Sequence, residues 1–248
     1  MKSKYALILS ILLTGLIASN VFIFQELSKP EAELITISRV IDGDTIVDSK
    51  NRTIRLLNIN TPEKSEAFSK ESTEFMKAFQ EQQLKIDITG QDKYKRYLAR
   101  LYTLNDQYIN LQIVKEGLAK PFLVQNSESK IFQQSLQQAI SQEKGQWKHS
   151  VYYNCINSKI FKEDEIIKLS ITCPDLDLTG FKITDESRKQ YTTTTNHKNF
   201  FNIHSGNGED NSTDIFWKLS TNVWNNDRDT LYIFDTNNDL IHYNSYGY

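Results

Sequence analysis

Five side chains in the first half of the chain have types and spacings that could do chemistry together: Asp42 and Asp44 in VIDGDT, Arg55 in RTIRLLNI, Glu63 in IRLLNINTPE and Arg96 in QDKYKRYLAR. Asp42 and Asp44 flank Gly43, a spacing that presents carboxylate oxygens at a bend, as a hard divalent cation requires. Alone, D-G-D reads as an ordinary turn, because Asp and Gly favour turns for backbone reasons. Arg55 lies inside an apolar strand, where an unpaired buried charge is costly, so its guanidinium must reach solvent or an anion. Arg96 follows Lys93, Tyr94 and Lys95, and basic residues beside an aromatic ring suit the gripping of a phosphate and a base. Each residue has a bland reading by itself. As a set they offer what phosphodiester hydrolysis needs: positive charge for the transition state, a cation on the phosphate and a carboxylate base for water.

Such a set must be held by a scaffold. The runs LITISRVIDGDTIVD, RTIRLLNI, LKIDIT and YLARLYTL read as strands, and SEAFSKESTEFMKAFQEQ places Phe68, Phe75, Met76 and Phe79 on one helical face. Helices follow at INLQIVKEGLA and at SKIFQQSLQQAISQEK, the second with Phe132, Leu136, Ala139 and Ile140 at helical spacing. Strands, a helix, strands and then helices predict a small barrel capped by helices rather than an alternating parallel sheet.

A chain of 248 residues has room for one or two domains with real cores. Residues 34–150 carry 17 Lys and Arg against 14 Asp and Glu, a net +3, whereas residues 151–248 carry 9 against 14, a net −5. The second stretch is rich in Thr, Asn and aromatic residues, with short runs such as IIKLSITC, FKIT, TLYIFD and LIHYNSY, and reads as all-β. It shows no catalytic constellation: His197, His204 and His242 lack ligand spacing, and Trp217 and Trp224 suit a sandwich core. Its acidic balance argues against gripping nucleic acid by itself.

At the start of the chain, MKSK precedes twenty uncharged residues from Tyr5 to Phe24. A helix of that length covers about 30 Å, enough to span a membrane. Lys2 and Lys4 ahead of it predict a cytoplasmic N-terminus and an exported remainder, with residues 1–25 as a signal anchor or cleaved signal peptide and 26–33 as a linker. Cys155 and Cys173 suit that compartment as a disulfide, closing a loop worth about 3 kcal/mol.

The blocks IDGDT at 41–45, IRLLNINTPE at 54–63, DKYKRYLARLY at 92–102 and NLQIVKEGLAKPF at 110–122 resemble, in order, those of the staphylococcal nuclease-like (thermonuclease) family, over residues 34–150. The resemblance implies an OB-fold β-barrel with three helices and calcium-dependent hydrolysis of DNA and RNA on the 5′-oxygen side, leaving 3′-phosphates. Carried over by position, Asp44 would ligate Ca2+ and Thr61 would give its backbone carbonyl, with Asp42 close to the metal. Glu63 would activate water, Arg55 and Arg96 would stabilise the transition state, and Lys93 and Tyr94 would contact a terminal phosphate. Two departures stand out. Asn60 occupies the place of a second aspartate ligand, which removes a negative charge, and the short passage from Glu63 to Phe68 leaves little room for a lysine-rich loop found in some members.

In residues 151–248, LDLTGFKITDE and WNNDRDTLYIFD are similar to signature blocks of lamin-tail domains, with Phe181 for the usual Trp and Arg228 for the usual Gly. That resemblance implies an immunoglobulin-like sandwich serving adhesion, positioning or protein contact, with a surface partner of unknown kind. The expected protein is an exported nuclease. The rivals are a catalytically weakened nucleic-acid binder, for which Asn60 is the motive, and a surface adhesion protein with an auxiliary barrel.

Overall fold

The computed structural model describes residues 14–16, 32–124, 127–194 and 199–248. Apart from Thr14–Leu16, which is helical, the apolar segment 5–24 lies outside the described residues, as does His197. Among the described residues no helix is long and apolar enough to cross a membrane.

Strands β1 (Glu33–Val40), β2 (Thr45–Asp48) and β3 (Thr53–Leu56) form an antiparallel meander, and a short β4 (Ile59–Asn60) follows. Helix α1 (Ser69–Lys77) precedes β5 (Gln83–Gln91) and β6 (Tyr97–Tyr102), an antiparallel pair. The barrel closes in the order β1-β2-β3-β6-β5, with β3 and β6 parallel. This agrees with the barrel expected from the strand and helix order. Period-2 alternation in β3 buries Ile54 and Leu56 and turns Arg55 to the other side. Helix α2 (Ile109–Lys115), the two-residue β7 (Lys120–Pro121), α3 (Ser129–Ser141) and a 3-10 turn (Gly145–Trp147) complete the first half. The expected apolar face of α3 is buried through Phe132, Leu136, Ala139 and Ile140. On α1, Met76 is fully buried and Phe75 partly so; of the face expected from the sequence, Phe68 is the left-handed residue before the helix and the partly buried Phe79 follows its end, so only two of the four lie on it.

The second half is built from β8 (Ile156–Phe161), β9 (Ile166–Ile171), β10 (Lys182–Thr184), β11 (Gln190–Thr192), β12 (Phe200–His204), β13 (Asp214–Phe216), β14 (Asp229–Phe234) and β15 (Leu240–Tyr246). They form two four-stranded sheets, β11-β10-β14-β15 and β13-β12-β9-β8. Residues of both sheets share one core, among them Ile167, Phe201, Ile203, Ile233 and Ile241, with Trp217 and Trp224 inside it as expected. Cys155 and Cys173 are disulfide-bonded, with Cα atoms 5.2 Å apart.

Residues Leu34–Tyr248 form one compact unit, and the halves meet in continuous apolar packing. Tyr232, Phe234 and Leu240 of the second half belong to the barrel-side core, where Trp147 stacks on Tyr232 with ring centroids 5.2 Å apart. Backbone bonds pin the junction: Leu240 N–H donates to the Lys148 carbonyl, and Ser150 N–H donates to the Leu240 carbonyl. The docking sets the turn after β10 against the end of β4, with bonds from Asn60 to the Glu186 carbonyl and from Arg188 to the Thr61 carbonyl.

Candidate active site

The turn from β1 to β2 presents Asp42 and Asp44. Gly43 is required there for space, since a Cβ would stand 2.7 Å from Ser72 Cβ and 2.8 Å from the Thr61 side chain. The turn therefore lies directly on α1 and on the end of β4. Asp42 Oδ1 accepts the Asp44 N–H at 3.0 Å. Burial, with Asp44 alongside, raises the Asp42 carboxyl above its ordinary value.

Asp44 is buried and every oxygen of it is engaged. Oδ1 accepts the Thr45 hydroxyl at 2.9 Å and pairs with Arg55 Nε at 3.1 Å; Oδ2 accepts both the N–H and the hydroxyl of Thr61, each at 2.9 Å. Arg55 also donates from Nη1 to the Leu56 carbonyl at 2.6 Å and from Nη2 to Asn60 Oδ1 at 3.2 Å. A guanidinium has five N–H groups, and three of those of Arg55 are bonded among the described residues, on a side chain that lines the cleft. Burial lowers the Arg55 pKa, Asp44 opposes that shift, and Arg96 and Arg188 add to it.

Arg96 ends the tight Asp92–Arg96 turn. Asp92 Oδ1 accepts the N–H groups of Tyr94 and Arg96, and Oδ2 pairs with Arg96 Nε at 2.8 Å. This arrangement holds the Tyr94 ring outward, 68% exposed, with Lys93 Nζ 5.1 Å and the Arg96 guanidinium carbon 5.5 Å from its centroid. An exposed ring flanked by cations is a stacking platform beside a phosphate grip.

Asp42, Asp44, Arg55, Asn60, Thr61, Glu63, Lys93, Tyr94 and Arg96 all line one cleft of about 700 Å³. Every residue named from the sequence as catalytic, substrate-binding or metal-binding is thus brought together. The cleft has further walls that sequence reasoning missed: Asp92, Phe122, Leu123 and, from the second half, Ser187 and Arg188. Arg188 Nη2 pairs with Glu63 Oε1 at 2.7 Å, and Nη1 donates to the Thr61 carbonyl at 2.8 Å. Residues 151–248 thus supply a guanidinium to a cleft otherwise built by the first half, a contribution that their sequence did not signal.

The oxygens of Asp42, Asp44, Asn60 and Thr61 are hard donors, the type calcium selects. Their charge is low: Asn60 is neutral, and Arg55 and Arg188 already bond to Asp44, Asn60 Oδ1 and the Thr61 carbonyl. The donor chemistry fits calcium, and the electrostatics predict weak affinity. Among the described residues no group of three or more His, Cys, Asp or Glu side chains could by itself hold a metal ion.

Residues 53–149 match the family model described as staphylococcal nuclease homologue. An uncharacterized endonuclease of Haemophilus influenzae is 33% identical over 139 residues, which cover 53% of this chain and 77% of that protein. Thermonucleases of Staphylococcus intermedius and Staphylococcus hyicus are 35% and 33% identical over 100 and 106 residues; the matches cover 36% and 38% of this chain and 59% and 62% of those enzymes. The matched residues 53–149 hold Arg55, Asn60, Thr61, Glu63 and Arg96, but neither the Asp42–Asp44 turn nor Arg188.

Proposed function

Because this chain belongs to the staphylococcal nuclease homologue family, we propose that its cleft hydrolyses the phosphodiester backbone of DNA or RNA with calcium as the cofactor. The protein is a phosphodiester-hydrolysing endonuclease. The observation that carries the residue assignment is the meeting of Arg55, Arg96 and Glu63 in one cleft with the Asp44 carboxylate.

In this reading the Tyr94 ring and Lys93 hold the chain of the substrate, and the guanidinium groups of Arg55 and Arg96 bind the scissile phosphate. Glu63 takes a proton from water as its oxygen bonds to phosphorus. The bond from phosphorus to the 5′-oxygen breaks, its electron pair stays on that oxygen, which takes a proton from solvent water, and a 3′-phosphate remains. Arg55 and Arg96 neutralise the charge that grows on the phosphoryl oxygens, a contribution available only in a preorganised site. Asp42, Asp44, Asn60 and the Thr61 carbonyl would hold calcium, which would supply a Lewis acid on the phosphate.

The halves are read as a nuclease domain at 34–150 and a lamin-tail-like sandwich at 151–248. The two facing sheets with one core and the blocks LDLTGFKITDE and WNNDRDTLYIFD support the second assignment. Export, by an anchor or a signal peptide in residues 1–25, is supported by the apolar leader and by the disulfide. The test is hydrolysis of single-stranded DNA across a calcium titration, beside Asn60→Asp and Glu63→Gln. Calcium-dependent cutting that vanishes in Glu63→Gln supports the reading. No cutting at any calcium level in the parent chain would leave a nucleic-acid-binding protein.

A further inference from the structure

The turn between β10 and β11, Asp185–Lys189, is the part of the second half that enters the cleft. Its conformation is fixed from behind. Asp185 is fully buried and accepts the Lys189 N–H at 2.7 Å and the Ser187 hydroxyl at 2.6 Å. Glu186, also buried, accepts the hydroxyls of Thr230 and Tyr248, and its N–H donates to Asp229 Oδ1. Arg188 itself has φ +72°, a conformation that a non-glycine residue keeps only when its surroundings impose it. In front, Asn60 Nδ2 donates to the Glu186 carbonyl at 3.4 Å.

Glu63 is in the opposite situation. Its carboxylate is largely exposed, and among the described residues Arg188 is the one side chain that bonds it. A carboxylate that must take a proton from one particular water has to be aimed. We propose that Arg188 is a positioning residue of the active site, contributed by the second half, whose two-pronged grip on Glu63 and the Thr61 carbonyl sets the water-activating carboxylate against the end of β4.

Three features support this. The fork geometry uses both Nη atoms on two different acceptors, a task suited to a rigid planar guanidinium and met less well by an ammonium on a flexible stem. The turn is anchored on both sides, as a permanent part of a site would be, whereas a removable plug needs an element free to move. Asn60 is accounted for as well: an aspartate in its place would set a carboxylate oxygen against the Glu186 carbonyl, so the amide permits the docking that delivers Arg188. The inference rests on the nuclease reading and deepens it.

The experiment is steady-state hydrolysis of single-stranded DNA by the full chain and by Arg188→Ala, Arg188→Gln and Arg188→Lys at saturating calcium, with thermal unfolding recorded for each. The expected result for Arg188→Ala and Arg188→Gln is a kcat lower by about 10-fold or more with KM within about 3-fold, since a misplaced catalytic group loses rate rather than binding. Arg188→Lys should recover part of the loss, and millimolar guanidinium ion should recover part of it in Arg188→Ala. An unchanged kcat would overturn the inference, as would a fall carried by KM alone. A faster Arg188→Ala with a lower calcium requirement would also overturn it, by making Arg188 a plug. If Arg188→Ala does not fold, Arg188→Lys decides, and a kcat equal to the parent's counts against the proposal. Failure of the parent chain to cut would overturn the nuclease reading and this inference with it, which separates that case from the others.

Discussion

Asn60 joins two parts of the chain that are 126 residues apart: its side-chain amide donates to the backbone carbonyl of Glu186 while its amide oxygen accepts from Arg55. The residue that departs from the family's ligand pattern is therefore also a docking contact.

Asn60→Asp should consequently have two effects of opposite benefit. Calcium titration of cleavage should show a lower requirement, because a formal negative charge returns to a site poor in it. Thermal unfolding should show a lower melting temperature, because the amide donor to Glu186 is lost and a carboxylate faces a carbonyl; a hydrogen bond left unmade costs about 1–3 kcal/mol. A melting temperature at or above the parent's would refute the docking role.

Glu63→Gln should keep the fold and binding of single-stranded DNA while lowering kcat by about 10²- to 10⁴-fold, the usual worth of a general base. Filter binding and cleavage on the same preparation separate the two properties.

Gly43→Ala should damage both stability and cleavage. The added methyl meets Ser72 and Thr61 inside normal contact distance, so the turn carrying Asp42 and Asp44 must lift from α1, at about 1–3 kcal/mol for overpacking. Denaturant unfolding beside activity would show the two losses together.

His242 supplies a pH dependence remote from the cleft. Burial lowers its pKa from 6.5 to about 4, and its Nε2 lies 2.8 Å from Ser158 Oγ. The folded chain keeps the ring neutral while the unfolded chain takes up a proton, so stability present above pH 6.5 should decline as pH falls toward about 4. Melting temperatures over that range should fall less steeply in His242→Gln.

Much of this was legible in the sequence, for local reasons. Alternation in RTIRLLNI marks the strand whose polar exception, Arg55, reaches the cleft, and helical spacing of Phe132, Leu136, Ala139 and Ile140 marks the buried face of α3. The Asp–Gly–Asp turn, the basic residues around Tyr94 and the cysteine pair carry their meaning within a few residues or by composition. Arg188 could not be found that way. SRKQYT has no pattern that sets one cation apart from its neighbours, and its role comes from a carbonyl 127 residues away. The composition shift near residue 150 was visible, yet the apolar continuity across it was not, because no local pattern pairs Trp147 with Tyr232, which lie 85 residues apart and meet only in the fold.

That stack has a practical meaning for modularity. A fragment ending at Ser150 would turn the indole of Trp147 to water and remove Tyr232, Phe234 and Leu240 from its surroundings. The barrel would also lose the strand edge that bonds its last residues. The chain thus resembles two modules grown together more than two joined by a tether, and an interchange of its second half with that of another protein would have to carry the aromatic seam along.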